Sequence, residues 1–155
     1  MTNKYWIECT DKNTEYFIKY YLLKHADTIS FINKPWREVS YFIIIRKKGT
    51  KNDKKFIDTL EKLRKNFIKK ENKNKHSIYY YKFSDNIKQM FNTKKLFNQL
   101  TPEFSKNFYG FEDPTFYKNN KIIGGVISHE NYFYVYLDNK QKENFEKKKI
   151  HLRTD

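Results

Sequence analysis

Runs of apolar residues in the first part of the chain have the lengths and periods of a strand, a helix and a second strand. Tyr5 to Cys9 predicts a short strand. Asp11 or Asn13 then predicts the N-terminal cap of a helix that runs to about Ala26. Thr28 to Ile32 predicts the next strand. The pattern therefore indicates helices and strands interspersed along the chain.

The middle of the chain continues this alternation with longer elements. The β-branched and aromatic run from Val39 to Ile45 predicts a strand that is covered on both faces. A helix is predicted over about Lys54 to Lys70, because apolar residues recur there at helical spacing. A strand over Ser77 to Phe83 and a helix capped by Ser84 follow. The apolar stripe of the longer helix consists of Phe56, Leu60, Leu63 and Phe67.

The last third of the chain changes to short strands joined by turns. Asn119-Asn120 predicts a tight turn inside a three-stranded β-meander, and Asp138 predicts the cap of a closing helix. Residues 147–155 are predicted to form a mobile basic tail. The strands of the meander are predicted at Phe116–Lys118, Lys121–Ser128 and Tyr132–Leu137.

Together these elements predict the α+β class. We expect a single domain over residues 1–155, with a mixed, mostly antiparallel sheet that ends in the β-meander and is packed by about four helices. No linker rich in Gly, Pro or Ser divides the chain, and no internal repeat is visible. Aromatic residues make up 19% of the sequence, and their large side chains can build the core.

The basic composition has two explanations. The net charge is +14, with 28 Lys against 4 Arg, and 16 Asn against the single alanine Ala26. A/T-rich codons favour Lys and Asn over Arg and Ala, so coding bias accounts for much of this composition. A reader of specific base sequences is expected to use more Arg, whose planar group matches guanine edges and phosphates. The alternative is a functional positive surface that attracts a polyanion or an acidic protein.

A concentration of charge between Arg46 and Lys75 favours the functional surface. This segment holds 13 basic and four acidic residues. Lys62, Lys65 and Lys69 are predicted to share one helical face, away from the apolar stripe. The alternative is an ordinary solvated face of an amphipathic helix. The candidate binding lysines are Lys54, Lys55, Lys62, Lys65, Lys69 and Lys70.

Aromatic residues on the predicted strands add a second candidate feature. Rings on a sheet face beside basic residues can stack on unpaired bases, and the sequence offers two such runs, Tyr79-Tyr80-Tyr81 and Tyr132-Phe133-Tyr134. Tyr79 and Tyr81 are the candidate binding residues. Core packing is the alternative explanation for these rings.

Carboxylates and one histidine near the meander are the candidate catalytic residues. Glu112 and Asp113 are adjacent, and His129 and Glu130 lie between two predicted strands. Such groups could orient a metal ion or act as an acid and base pair. A simpler interpretation is that Asp113 before Pro114 starts a turn that breaks any strand. No motif for phosphate binding, zinc proteases or serine hydrolases is present, so we predict no cofactor and no metal.

The cellular location follows from cysteine usage and hydropathy. Cys9 is the single cysteine, so the chain cannot form an internal disulfide. No apolar run approaches the length of a signal core or of a membrane span. We therefore expect a cytoplasmic protein with no membrane partner.

These observations give three hypotheses for function. The first is a small non-enzymatic binding protein, such as an inhibitor, an immunity-type protein or an adaptor, that recognises an acidic protein partner through its basic surface. The second is a nucleic-acid-binding protein that uses the Arg46–Lys75 surface and exposed aromatic residues. The third is a hydrolase or nuclease built on Glu112, Asp113, His129 and Glu130.

Overall fold

The structure, a computed structural model, describes residues 1–32, 61–90, 112–127, 130 and 132–154. Several sequence predictions fall outside these residues. They include the strand over Val39 to Ile45, the helix residues before residue 61, and the positions of Lys54, Lys55 and His129.

The described residues form one seven-stranded sheet in which every paired strand is antiparallel. The strand order across the sheet is β1-β7-β6-β5-β2-β4-β3. Strands β5, β6 and β7 are therefore neighbours in chain order, as a meander requires, although the connection between β6 and β7 is described only in part. The strands are β1 Asn3–Glu8, β2 Thr28–Ile32, β3 Phe67–Lys73, β4 His76–Lys82, β5 Glu112–Lys118, β6 Lys121–Val126 and β7 Tyr132–Leu137.

Four helical segments accompany the sheet among the described residues, which confirms the α+β class. The first is continuous from Asp11 to His25 and changes from α to π and back to α geometry. A second segment covers residues 61–65. The named helices are α1 Asp11–Phe17, the π-helical turn Ile18–Leu22, α2 Leu23–His25, α3 Asp85–Met90 and α4 Asn139–Lys147.

The core lies on one side of the sheet, here called the inner face. A single row of paired residues crosses six strands on this face, because side chains alternate between the two faces along every strand. Phe17 of α1 packs on this row, and its ring lies 4.4 Å from that of Phe133. Leu63, Ile87 and Phe145 bring the other helical segments to the same core. The row is Tyr5, Val135, Gly124, Phe116, Ile29 and Tyr81.

The first helix begins one residue earlier than the sequence suggests. Its cap is Thr10, whose hydroxyl accepts a hydrogen bond from the backbone N–H of Asn13 at 3.2 Å. Asp11 and Asn13 therefore lie in the first turn, and the prediction that one of them is the cap is wrong. An aspartate in the first turn still interacts favourably with the positive end of the helix.

The predicted helix over Lys54 to Lys70 is wrong in its last part. The helical segment ends at residue 65, where the side-chain amide of Asn66 donates to the carbonyl of Lys62 at 2.7 Å. The carbonyl of Asn66 then accepts from the backbone N–H of Lys82 at 2.7 Å, and β3 begins with Phe67. Pairing with β4 thus overrides the helical propensity of the lysines.

A two-residue turn joins β3 to β4 without a glycine. Lys73 pairs with His76, which leaves Asn74 and Lys75 as the turn. Asn74 has a φ of 55°, and asparagine tolerates this left-handed region better than most residues. The predicted Asn119-Asn120 turn is confirmed, with φ values of 50° and 63° between β5 and β6.

The predicted turn at Asp113-Pro114 is instead a bulge within β5. Ile32 pairs with Glu112 and Ser30 with Thr115, so Asp113 and Pro114 together oppose the single residue between Ser30 and Ile32. Asp113 adopts a φ of 46°, as the first residue of such a bulge often does. Pro114 fits here because a bulge residue need not donate to the ladder.

The final residues pack against the sheet, in contrast to the predicted mobile tail. Asp138 caps α4 within a capping box that also uses Gln141, as the sequence predicts. After the helix, Ile150 is 2% exposed. The backbones of Trp6 and Arg153 then exchange two hydrogen bonds of 2.7 and 3.0 Å, which attach this segment to the outer edge of β1.

Candidate functional site

The β3–β4 hairpin carries the basic surface of the described residues. Residues 61–90 contain nine Lys or Arg and three Asp or Glu, a net charge of +6. Strand β3 is the last strand of the sheet that the described residues form, and all five of its residues after Ile68 are polar or charged. All of β3 except Glu71 is exposed. Charge and exposure therefore coincide on an edge strand.

The lysines of β3 divide between the two faces of the sheet. Lys69 lies 4.9 Å over the ring of Tyr80, and Lys70 lies 5.6 Å over the ring of Tyr79. Glu71 binds Lys69 at 2.7 Å and Lys73 at 3.5 Å. The hydrogen bond from Lys69 is the main reason that the pKa of Glu71 is lowered. Glu71 thus offsets part of the positive charge of β3. Lys70 lies on the opposite face, and the described contacts give it no ion pair.

Two large apolar side chains are exposed beside these lysines. Phe67 is 48% exposed and Ile68 is 50% exposed. The ring of Phe67 touches the core only at its border, with centroid distances of 5.7 Å to Tyr81 and 6.4 Å to Tyr79. The register of β3 shifts between Phe67 and Lys69, so Ile68 sits in an irregularity of the edge. An apolar patch therefore borders the basic strand.

The structure does not place the candidate lysines on one helical face. Lys62 and Lys65 are in the helical segment over residues 61–65, whereas Lys69 and Lys70 are in β3. The shared face predicted for Lys62, Lys65 and Lys69 is therefore wrong, because the chain changes from helix to strand between them.

The candidate tyrosines point to the inner face. Tyr81 is fully buried in the core, where desolvation raises its pKa, and Tyr79 packs against the same core. Tyr81 is therefore not an exposed binding residue. Tyr80, the middle residue of the run, lies on the opposite side, here called the outer face. Its hydroxyl donates to Glu71 at 3.2 Å, and its ring lies 5.6 Å from that of Tyr117.

A row of residues crosses all seven strands on the outer face. The pairings of the sheet align the members of this row side by side. The hydroxyl groups of Ser30 and Tyr117 lie 3.1 Å apart beside it. The row consists of Trp6, Tyr134, Gly125, Thr115, Ser30, Tyr80 and Lys69. This face thus combines aromatic and polar groups, whereas the inner face is apolar.

The candidate catalytic residues are placed only in part. Glu112 and Asp113 are consecutive residues of β5. Glu130 is exposed in the connection between β6 and β7, where its backbone N–H donates to Ile127 at 3.1 Å. His129 lies outside the described residues. Within the parts of the chain that the structure describes, no three His, Cys, Asp or Glu residues are grouped to hold a metal ion.

No protein-family model matches the chain, and neither a curated protein nor a solved structure matches it. No helix among the described residues combines the length and the hydropathy needed to cross a bilayer.

Proposed function

We propose that the protein is a cytoplasmic, non-enzymatic binding protein that recognises an acidic protein partner at the edge of β3 with which no described strand pairs, here called the hairpin edge. The observation that carries this proposal is the coincidence, on Phe67–Lys73, of an edge strand, exposed apolar residues and three lysines. An extended segment of a partner can pair with such an edge through its backbone, and side chains then give specificity.

The two edges of the sheet differ in a way that supports this proposal. The edge of β1 is partly occupied by the chain's own Arg153 segment, through the two backbone hydrogen bonds with Trp6. No described strand pairs with the outer side of β3. Residues that flank a two-residue turn form a hydrogen-bonded pair, and such pairs alternate along an antiparallel ladder. We therefore infer that the backbone groups of Lys70 and Asn72 point away from β4.

The charge of the hairpin edge favours an acidic occupant over a second copy of this chain. Lys69, Lys70 and Lys73 outnumber Glu71, and pairing two copies would bring like charges together. Lysines on an edge strand often serve simply to prevent aggregation. Exposed Phe67 and Ile68 at the same edge oppose that explanation, because a strand protected against aggregation gains nothing from exposed apolar side chains.

A labelled peptide tests this proposal. The probe is an extended peptide that alternates Glu with Val or Thr, and its binding is measured by fluorescence anisotropy. Replacing Lys69 and Lys73, which lie on one face of β3, with Gln should weaken binding by about fivefold, since two exposed ion pairs of about 0.5 kcal/mol each are lost. The matched control replaces Lys147 and Lys148, which are exposed at the end of α4, and should leave affinity nearly unchanged.

A second peptide separates strand pairing from simple charge attraction. It has the same sequence but carries N-methyl groups on the backbone nitrogens that would face β3, so it keeps its charge and loses its donors. We expect it to bind at least about tenfold more weakly, because several backbone hydrogen bonds of roughly 0.5–1.5 kcal/mol each are lost. Equal binding of both peptides, or equal effects of the two lysine pairs, would refute recognition at the hairpin edge.

A further inference from the structure

A cluster of rings and cations lies at the opposite end of the sheet from the hairpin edge. The ring centroids of Trp6 and Tyr134 are 5.6 Å apart, on the paired strands β1 and β7. The amino group of Lys4 lies 4.4 Å from the centroid of Trp6 and 4.6 Å from that of Tyr134. The guanidinium of Arg153 lies 5.0 Å from the ring of Tyr132. Two cations are thus held beside three neighbouring rings.

Strand alternation places this cluster on the outer face. Lys4, Trp6 and Glu8 alternate with buried Tyr5 and Ile7 along β1. Along β7, Tyr132, Tyr134 and Tyr136 alternate in the same way with buried Phe133, Val135 and Leu137. All four outer-face rings are partly exposed.

A glycine allows one of these rings to lie flat on the sheet. A Cβ atom on Gly125 would lie 2.6 Å from the hydroxyl and 2.8 Å from the Cζ of Tyr134. The ring of Tyr134 therefore occupies the space that a side chain at position 125 would fill. Thr115 lies on β5 in the same row, and its hydroxyl donates to the carbonyl of Asp113 at 3.1 Å. Any ligand on the outer face thus meets a broad aromatic surface at this point.

The accessible rings of the outer face lie at the end of the sheet formed by β1 and β7. Towards β3 the same row is buried, since Ser30 is 2% exposed and Tyr80 is 8% exposed. Every helical segment that the structure describes contributes to the core on the inner face, so none of them provides the packing for these outer-face rings.

The charges around the cluster favour a ligand with spaced negative groups. Lys4 and Arg153 flank the rings and are both exposed. Glu8 lies at the end of β1 on the same face, paired with Tyr132. Burial raises the pKa of the Tyr134 hydroxyl, and the negative charge of Asp113 adds a small part of this rise. These two carboxylates restrict the positions at which a polyanion can pass. The surface is therefore not uniformly positive, and a bound polyanion has to pass close to the two cations and away from the two carboxylates.

We propose that the outer face around Lys4, Trp6 and Tyr134 binds a single-stranded nucleic acid, independently of the hairpin edge. Exposed rings on a sheet stack on unpaired bases, and adjacent lysines contact the phosphates between them. A duplex hides the faces of its bases and cannot use the rings. Because each ring accepts any base, binding should depend little on base sequence.

The alternative explanation is that these rings only pack on one another. Trp6, Tyr134 and Lys4 would then stabilise the sheet through aromatic and cation–π contacts and would bind nothing. A pair of the same type elsewhere in the protein provides the comparison. Tyr20 is 53% exposed in the π-helical turn, and the amino group of Lys24 lies 5.6 Å over its ring.

The test compares the two pairs in the full chain. A fluorescently labelled oligothymidine of about 15 nucleotides is titrated against the wild type, a Lys4→Gln/Trp6→Leu variant and a Lys24→Gln/Tyr20→Leu control. Loss of a stacking ring should weaken binding by roughly 5- to 150-fold in the first variant and leave the control unchanged. The slope of log affinity against log salt should also fall by about 0.7, the value for one lost phosphate contact on a single strand.

Two further measurements make each outcome decisive. A single Trp6→Phe change keeps a ring and should retain most of the affinity, and a urea-unfolding curve of the double variant shows whether loss of folding causes its weaker binding. A duplex with the same number of phosphates should bind the wild type more weakly than the oligothymidine does. Equal loss in both double variants, or equal affinity for duplex and single strand, would overturn the proposal and leave charge attraction alone.

Discussion

Gly125 is the position at which one added methyl group tests the packing of the outer face. A Cβ atom there would lie 2.6 Å, 2.8 Å and 3.0 Å from three atoms of the Tyr134 ring system, whereas carbon atoms normally approach to about 3.5–4.0 Å. In the Gly125→Ala variant the ring must therefore move by about 1 Å. The backbone of Gly125 is outside the left-handed region, so alanine adds no backbone strain.

The size of the effect follows from these contacts. Forcing a methyl group into a packed site costs about 1–3 kcal/mol. Replacing glycine with alanine also raises the free energy of unfolding by about 0.5–1 kcal/mol, because alanine restricts the unfolded chain. We expect a net loss of about 1–2 kcal/mol in the free energy of unfolding, measured by urea denaturation.

A double-mutant cycle identifies the cause of this loss. In a Tyr134→Ala background the clash is absent, so Gly125→Ala should be neutral or stabilising by up to about 1 kcal/mol. Gly124→Ala is the control, because its Cβ would meet the backbone oxygen of Tyr134 at 2.8 Å, which truncation of that side chain does not remove. If Gly125→Ala costs as much in the Tyr134→Ala background as in the wild type, the packing of this ring on the glycine is refuted.

Two other predictions concern the chain end and Cys9. Ile150→Ala should lower the free energy of unfolding by about 2–5 kcal/mol, the usual cost for a buried isoleucine, whereas a residue in a mobile tail would have almost no effect. Desolvation, with a smaller contribution from Glu8, raises the pKa of Cys9 from 9.0 to about 11. The thiol stabilises the fold fully below the unfolded pKa and loses this contribution as the pH rises from about 9 to 11. Iodoacetamide should therefore alkylate Cys9 roughly 100-fold more slowly than free cysteine at about pH 8, and equal rates would contradict its burial.

Some elements that depend on neighbouring residues, such as one turn and one helix cap, were predicted correctly from the sequence. Two consecutive asparagines gave the turn between β5 and β6, because both residues tolerate positive φ values. Asp138 gave the start of α4, because a cap and its partner Gln141 lie three residues apart in sequence. The strict alternation from Tyr132 to Leu137 gave β7 with its bounds.

The end of the helix at residue 65 was not predictable from periodicity. Phe67 continues the helical stripe of the sequence, and the lysines after it are good helix formers. What changes the structure is pairing with β4, which begins nine residues after β3 does. Asn66 was the available signal, since asparagine commonly ends helices through its side chain or a left-handed backbone. A single polar residue inside a helical pattern does not predict the end of the helix unless the strand that follows it is also known.

The faces of the sheet needed the register as well as the sequence. Three consecutive tyrosines at 79–81 do not indicate which side Tyr80 takes, and pairing with β2 and β3 decides it. The cluster of Lys4, Trp6 and Tyr134 joins two strands that are about 130 residues apart in the chain. The sequence predicted both strands, but no local feature predicted that these strands are neighbours.

Amide hydrogen exchange along β3 tests recognition at the hairpin edge most directly. The N–H groups of Lys70 and Asn72, inferred to face outwards, should exchange rapidly in the free protein, while those of β4 are protected by the ladder. Saturation with the acidic strand peptide should slow the exchange of these two amides by at least about tenfold. The exchange rate of the Tyr20 amide, on the helical side of the sheet, should not change when the peptide binds. Binding of the peptide without any added protection of Lys70 and Asn72 would contradict the proposed pairing with β3.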